Sequence, residues 1–435
     1  DLHRDVGDVD KGLGEAAQTL QAHYYIPLLS HATMEPPAAT ARVSESGVEV
    51  WSCTQNPQTD QETIGRYLDL EESKIKVNVT LLGGGFGRKS KPDFSAEAAW
   101  LARHSGRTVR VQWTREDDIR HDFYHTVSAQ QMDGGLDGSG RLTALRHRST
   151  FPSIESTFEA GAQKPGFETS LGLLNAPLEI PHIRAETGRV DAHVRTGWLR
   201  SVANIYHCFA LQSFLGELAA KAGRDHRDFL LQAIGSDRHI DFPAEKTKFA
   251  NHGADLGEYP YDTARLKNVL RLDTKMAGWG RDPGPGRGLG QAVHRSVLPY
   301  VATVVEVEVS RSGQLKIPGV WVAVDAGTVV NTDSVVNQIQ GASIFALSFA
   351  LHSRITAKAG AIEQSNYHDY RVAHIGETPA AIDVQVVDSE APPAGVGEPG
   401  TPPFAPALCN AIYAATRVRI RELPIGDQLA RAMQN

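Results

Sequence analysis

Apolar and polar positions alternate over several short runs of this chain. Val48-Glu49-Val50-Trp51 and Ile75-Lys76-Val77-Asn78-Val79 have the two-residue period of half-buried strands. Residues 108–114 and 142–148 continue that pattern. Elsewhere the period lengthens. Residues 92–103 place Phe94, Ala98 and Leu101 on one face with Gly106 just beyond, which predicts a helix. The longest helical pattern spans 202–221, with Ile205, Phe209, Phe214 and Leu218 aligned and Gly223 as its stop. A polar stretch at 227–275 reads as a helical or irregular connection, and long strands at 301–309 and 316–324 follow the glycine-rich segment 284–290. Near the C-terminus, Ala405, Leu408, Ile412 and Ala415 set a helix over 404–417. The sequence contains no repeat, and strand and helix do not alternate regularly. The pattern therefore predicts an α+β fold of long mixed sheets with flanking helices, divided between Asn251 and Arg287.

Composition narrows the class. A length of 435 residues allows about two to four domains, and 41% hydrophobic with 22% charged residues is ordinary globular composition. The net charge of −7 argues against a nucleic-acid or other polyanionic partner. The longest apolar run, 339–351, falls short of the roughly 18–20 residues that cross a bilayer, so no membrane span is expected. Cys53, Cys208 and Cys409 are scattered and odd in number, which encodes neither a disulfide framework nor a zinc or iron–sulfur motif. The chain starts at Asp1 rather than Met, and its opening Asp-Leu-His-Arg-Asp does not read as a strand. The expectation is a processed chain, a fragment or one piece of a split subunit.

Two loops carry candidate chemistry. Gly395-Val396-Gly397-Glu398-Pro399-Gly400-Thr401-Pro402-Pro403 sets one carboxylate in a loop bent by glycine and stiffened by three prolines, directly before the 404–417 helix. An immobile carboxylate near a helix N-terminus is kept ionised and suits a general base; alone, the segment equally describes a solvated turn. Leu81-Leu82-Gly83-Gly84-Gly85-Phe86-Gly87-Arg88-Lys89 puts four glycines at the end of the 75–79 strand. Backbone there can approach a ligand that any Cβ would exclude. It is not a dinucleotide loop, since GxGxxG needs a helix opening on its third glycine and an acid about 20 residues on. It also lacks the Gly-Lys-Ser/Thr of a phosphate loop, and a tight bend is the plain alternative. His121 and His125, at i and i+4, lack the HExxH context of a metal site.

Four further segments complete an ordered set: His31-Ala32-Thr33-Met34-Glu35-Pro36, Thr54-Gln55-Asn56-Pro57, Asp325-Ala326-Gly327 and Gln340-Gly341. With the glycine loop and Gly397-Glu398-Pro399 between and after them, the chain resembles the molybdenum-binding large subunit of the xanthine oxidase family over residues 23–424. The likeness is greatest to its isoquinoline oxidoreductase β-subunit and bacterial aldehyde dehydrogenase branch. The resemblance implies the molybdenum-binding domains of that subunit, a first part over 1–250 with the glycine loop and a second over 251–435 with the Glu loop. It implies a molybdenum-pterin cofactor in the molybdopterin cytosine dinucleotide form. The implied reaction oxidises an sp² carbon of an aldehyde or N-heteroaromatic, with water as the oxygen source. Glu398 falls on the family's base, and Gly84, Gly85, Phe86 and Gly87 on the loop that approaches the metal's apical oxygen. Arg200 falls on an arginine near the cofactor, Gln340 and Gly341 at the start of a helix lining the site, and Gly397 beside the base. Two positions depart from the family: Ser90 stands where purine-oxidising members have a substrate-gripping Glu, and Leu29 where the family has a Gln near a molybdenum oxygen. Both count against xanthine or hypoxanthine. Trp198, Tyr124 and Phe123 are candidate pocket aromatics, with core packing as their other reading.

The resemblance also implies partners. A small subunit with [2Fe–2S] clusters would take the electrons, since three cysteines here cannot ligate a cluster of about four. A cytochrome c would follow as acceptor, which places the enzyme in the periplasm, with the cytoplasm as alternative. The family's Gly-Gln-Gly cofactor segment has no equivalent in this chain. A second polypeptide is therefore expected to supply the N-terminal part of the molybdenum subunit, across an interface of roughly 2,000 Å² or more. Two rival readings remain: a scaffold or assembly partner that keeps the fold without cofactor, and an NAD enzyme on Gly83–Gly87, which would need a βαβ unit. Valine at Gly85 or Gly87 is expected to fill space the cofactor needs.

Overall fold

The runs with a two-residue period fold as strands in the computed structural model, which describes residues 1–159, 162 and 164–434. In chain order the first elements are β1 (Leu2–Val6), α1 (Val9–Gly14), β2 (Gln18–Ile26), β3 (Ala38–Ser44), β4 (Gly47–Ser52), α2 (Pro57–Leu68), β5 (Ile75–Val79) and α3 (Asp93–Ser105). Next come β6 (Val109–Gln112), α4 (Arg115–Arg120), β7 (Ser128–Leu136), β8 (Leu142–Thr150), β9 (His182–Gly188), α5 (Asn204–Lys221), α6 (His226–Ile234) and α7 (Thr263–Met276). The last third holds β10 (Arg287–Arg295), β11 (Tyr300–Val309), β12 (Leu315–Asp325), α8 (Thr332–Leu351), β13 (Ala357–Lys358), β14 (Ala361–Ile362), β15 (Ile382–Val386), α9 (Phe404–Thr416) and α10 (Gln428–Gln434).

Among the described residues the larger sheets run β1-β9-β8-β7-β2, β10-β11-β12-β15 and β5-β4-β3-β6. Each is antiparallel except for one parallel pair: β8 with β9, β12 with β15, and β4 with β5. This is the mixed α+β architecture that the pattern predicts. β11 is buried along nearly its whole length because β10 and β12 flank it and α7 and α9 both pack on it. α5 is buried from Asn204 to Ala219, touching β2, β7, β8, β10 and α9, which accounts for a helix apolar around most of its circumference. One hydrophobic core joins residues from before and after residue 250, among them Tyr24, Phe214, Val301, Val322 and Leu408. A second, smaller core of Ala41, Val50, Ile64, Phe94 and Ala99 lies between β3, β4, α2 and α3. The glycine loop leaves the smaller core, and the Glu398 loop leads into α9 of the larger one.

Two expectations change, and one open reading is settled. The first residues do form a strand: β1 pairs antiparallel with β9. Its charges are satisfied by distant segments, Arg4 by the Leu174 and Ala176 carbonyls and Glu245, and Asp5 by Arg184, so no local pattern could announce it. Of the two readings of the polar 227–275 stretch, the helical one holds at α6 and at the well-capped α7, whose Asp262 accepts from the Ala264 and Arg265 amides. Finally, α8 begins seven residues before the 339–351 run, at Thr332, and its 20 residues are long and apolar enough to cross a membrane by length and composition. In this chain it packs on β15 and α9, with 44% of its apolar window buried.

Contact between α9 and β10 fixes the approach to the Glu398 loop. A Cβ on Gly290 would overlap the Ala411 amide nitrogen and the Ala407 carbonyl of α9, so this strand must present bare backbone there. Gly290→Ala is expected to cost about 1–3 kcal/mol and lower the unfolding temperature, whereas Gly138→Ala, whose added Cβ meets nothing within 4 Å, should leave it unchanged. Thermal denaturation of the two variants checks this.

Asp60 provides a pH test of the smaller core. It is fully buried in α2, where it accepts from Ser95 Oγ at 2.7 Å and Thr54 Oγ1 at 3.2 Å. Burial pushes its pKa up to about 6. The folded value lies above the roughly 3.9 of an unfolded chain. The stability Asp60 contributes is therefore complete below about pH 4 and lost as the pH rises through 6. Relative to Asp60→Asn, the wild type should lose roughly 2–3 kcal/mol between pH 4 and 7. A difference in urea unfolding that stays flat over this range rules the assignment out.

Candidate active site

Three braces hold the glycine loop after β5. In the first, Glu35 receives the Gly83 amide at 2.8 Å and Lys89 Nζ at 2.6 Å, while its own amide donates to Gly83 O at 3.0 Å. Burial opposes the charge of Glu35, but Lys89 and the Gly83 amide prevail and hold its pKa below the ordinary value. The second brace is the turn entering α2. There the Gln55 amide donates to Lys89 O at 2.8 Å, and Gln55 Oε1 accepts from the Gly87 amide at 3.0 Å. The third is buried charge. His31 donates through Nδ1 to Asp122 at 2.9 Å and through Nε2 to Trp198 O at 2.8 Å. Asp122 also faces Arg88 Nε at 3.2 Å, and Arg88 closes on Asp93 through two bonds of 2.9 Å. Burial disfavours the Asp122 charge, yet His31 and Arg88 hold its pKa well below the usual carboxylate range. Burial and the Asp122 charge push neighbouring Asp118 the other way, up to about 7.

Within the loop, Gly84 and Gly87 take φ of +91° and +101°, which favours glycine. The space beside Gly85 and Gly87 belongs to this chain: a Cβ would overlap Gln55 Oε1 at the first and the Trp198 carbonyl at the second. Valine there would therefore strike the protein's own braces rather than fill cofactor space. Phe86 has φ of +53° and rests its ring on Phe345, with centroids 4.8 Å apart.

Residues 198–201 stitch this loop to the one carrying Glu398. The Arg200 amide donates to Phe86 O at 2.9 Å. Its buried guanidinium donates through Nε to Gly397 O at 2.5 Å, and through Nη2 to both Gln338 O and Gln338 Oε1 at 3.0 Å. Ser201 Oγ then donates to Glu398 O at 2.6 Å. Burial lowers the Arg200 pKa to about 10, and the Glu398 charge works the other way. Backbone strain gathers here. Ser201, Val202, Val297 and Leu298 have φ of 80°, 52°, 53° and 81°, a region that bulky and β-branched residues rarely adopt. Strain of that kind persists only where surroundings enforce it, commonly at functional sites.

Glu398 is half-buried. Its backbone oxygen is held by Ser201 and by the Thr401 amide at 3.0 Å, while its carboxylate has no hydrogen bond or ion pair among the described residues. A carboxylate free of partners on a fixed backbone can accept a proton. Gly397 beside it has open space where a Cβ would stand, and the position over Gly341 reaches only Arg200 Nη1, at 4.0 Å. Gly341 and Gln340 lie in the middle of α8 rather than at its start, because Asn331 caps the helix nine residues before Gln340. Gln340 donates to Ile382 O on β15 at 3.1 Å, so Gln338 is the α8 glutamine that meets Arg200. Gln338, Ser201 and Gln55 are therefore further site residues. Signals for the last two were present, since Ser201 adjoins Arg200 and Gln55 lies within the Thr54–Pro57 motif. Of the aromatics, Tyr124 is core, its hydroxyl donating to Ile119 O, while Phe123 and Trp198 line a cleft. Asp325 is spent on Arg265, at 2.8 and 2.5 Å.

The chain is similar to several known proteins. A family model described as molybdopterin cofactor-binding domain matches residues 2–232, and a second so described matches 266–379. A nicotinate dehydrogenase subunit of Pseudomonas putida is 31% identical over 98% of this chain and 36% of its own length. The β-subunit of isoquinoline 1-oxidoreductase from Brevundimonas diminuta is 30% identical over 93% of this chain and 49% of its own. The chain thus spans about a third to a half of these relatives' length. Among solved structures, quinoline 2-oxidoreductase from Pseudomonas putida 86 shares the fold with a TM-score of 0.80 at 15% identity, covering 100% of this chain and 78% of that one.

The two kinds of site glycine should separate on substitution. Gly87→Ala, strained in φ and set against Trp198, is expected to lower the unfolding temperature markedly. Gly397→Ala, with room for its methyl, should not. Calorimetry on both variants decides, and equal losses would show that the loops are braced differently.

Proposed function

The chain belongs to the molybdopterin cofactor-binding family of xanthine oxidase-type proteins, and from that premise we propose that it forms the base-bearing part of a molybdenum hydroxylase. One observation carries the reading: a partner-free carboxylate on a pinned backbone, beside open space edged by Gly341, Gly397 and Arg200 Nη1. Bare backbone and an unspent cationic donor suit an anionic, close-fitting cofactor. Among the described residues no group of three or more His, Cys, Asp or Glu could ligate a metal ion, so the metal would arrive on the cofactor's own ligands. When bound, the molybdenum-pterin cofactor supplies the two-electron redox chemistry and the activation of a water-derived nucleophile.

This chain's residues would do the rest. Glu398 accepts the proton released as oxygen is delivered to an electron-poor sp² carbon of an N-heteroaromatic or aldehyde. Arg200 positions that base by holding Gly397 and Gln338, and Phe86 and Gly87 form the opposite wall. The names of the relatives, which refer to nicotinate and isoquinoline, support an N-heteroaromatic, and Ser90 and Leu29 count against a purine. We assign the glycine-loop wall to a part spanning 1–250 and the base to one spanning 251–435. Electrons would leave to a small [2Fe–2S] subunit and then a cytochrome c in a heteromeric complex. The cofactor would carry the cytosine dinucleotide, and the compartment would be the periplasm, with the cytoplasm as alternative. Because the relatives are longer, we assign the remaining part of the cofactor site to a further segment, on this or a separate polypeptide. Met34, Leu81 and Val330, apolar yet 80%, 95% and 99% exposed, are candidates for the surface it covers.

Glu398→Gln is expected to keep the unfolding temperature and the molybdenum content while turnover falls by about 10²- to 10⁴-fold. Near-normal turnover at full molybdenum loading would remove Glu398 as the base. Wild-type complex purified without molybdenum would favour the scaffold reading instead.

A further inference from the structure

A second concavity, a cleft of about 920 Å³, opens beside the glycine loop between Ser90–Pro92, α2, α3 and Trp198. Lys91 lines it at only 4% exposure. Among the described residues its ammonium has neither a hydrogen bond nor an ion pair, and lies 3.5 Å from the Trp198 ring centroid and 3.9 Å from that of Phe158. A buried cation without a counter-ion is costly, and two aromatic faces compensate only in part. Two acids of the lining are already engaged: Asp93 takes two bonds from Arg88, and Glu97 accepts from Trp113 Nε1 at 2.9 Å. Glu155 and Glu159 also line the cleft without pairing with Lys91, as do Arg66 and Arg195, and burial, then Glu168 and Glu159, push the Glu155 pKa up. Burial lowers the Lys91 pKa to about 8, which leaves the amine mostly charged at neutral pH.

We propose that this cleft is the subsite for an aromatic carboxylate, whose acid group pairs with Lys91 Nζ and whose ring packs among Trp198, Phe158 and Phe123. We take the ligand to be the substrate because the cleft, although lined by none of Glu398, Arg200 or Gly397, abuts the glycine loop through Ser90 and Trp198. Ser90 Oγ donates to Gly87 O at 2.6 Å, and Trp198 stands two residues before Arg200 and gives its carbonyl to His31. The assignment rests on the hydroxylase reading and narrows it to substrates that carry an acid group.

The test uses the purified complex containing this chain, with benzoate and its neutral isostere benzamide as probes. By titration calorimetry at pH 7, benzoate should bind at least tenfold more tightly than benzamide. Lys91→Met, which keeps the aliphatic packing, should abolish that preference, and Lys91→Arg should keep most of it. Ser90→Glu, on the same wall, should weaken benzoate at least tenfold and leave benzamide unchanged, which covers the case in which Lys91→Met does not fold. In steady state, benzoate should raise the KM for a heteroaromatic substrate without changing kcat. Equal binding of the two probes, or a preference untouched by both the Lys91→Met and Ser90→Glu changes, overturns the subsite. Non-competitive inhibition overturns its assignment to substrate. The calorimetric result needs no turnover, so a catalytically inert complex would sink the hydroxylase reading while the benzoate preference is still decided on its own.

Discussion

The architecture of the site depends on one buried cation. Arg200 lies inside the protein with no carboxylate in hydrogen-bonding contact, and its Nε and Nη2 donate to two backbone carbonyls and one side-chain amide oxygen while Nη1 has no partner among the described residues. Removing such a charge from water is expensive, and each donor left unmatched adds to the cost. The fold therefore has a strong reason to keep the Gly397 and Gln338 carbonyls where they are. Because the same residue's amide holds Phe86 O, one side chain and its backbone set three segments in register. The positive φ angles of Ser201 and Val202 are the local strain that this arrangement maintains.

Around that point the two loops are stiffened unequally. The glycine loop is restrained along its length by Glu35, Gln55 and the His31–Asp122–Arg88 charges. The Glu398 loop is restrained through its main chain, by Ser201, Arg200 and Thr401, while the carboxylate itself stays uncommitted. A rigid backbone with a chemically available side chain is what a proton acceptor requires, since reorganisation during the reaction is then small.

Much of this was legible in the sequence where the information is local. β4, β5, α3, α5 and α9 follow from the period of their apolar residues and from their stop signals, which their own residues declare. β1 and β10 were not legible. The charges of β1 find partners more than a hundred residues away, and the glycines that open β10 carry no strand signal although α9 requires them to be bare. The site divides in the same way. Glu398, Arg200 and the glycine loop stand out as motifs, whereas Gln338 acts through bonds to a residue 138 positions distant, and Ser201 through one 197 positions distant. The misplacement of Gln340 and Gly341 at a helix start has a simple cause: the polar first turns of α8 hid its true beginning at the Asn331 cap.

The separation of Arg200 from Gly397 has a consequence for the order in which the molecule forms. The smaller core lies before Arg200 and α5 directly after it, yet the carbonyl that Arg200 Nε requires arrives 197 residues later. Contacts of such range close slowly, because the entropy of the intervening loop must be overcome first. During synthesis the N-terminal half, including the braced glycine loop, emerges well before the residue it serves. Until the Glu398 loop has been made and α9 seats against β10, Arg200 lacks part of its shell. Closure of the larger core and the meeting of Arg200 with the Glu398 loop are thus the same late event.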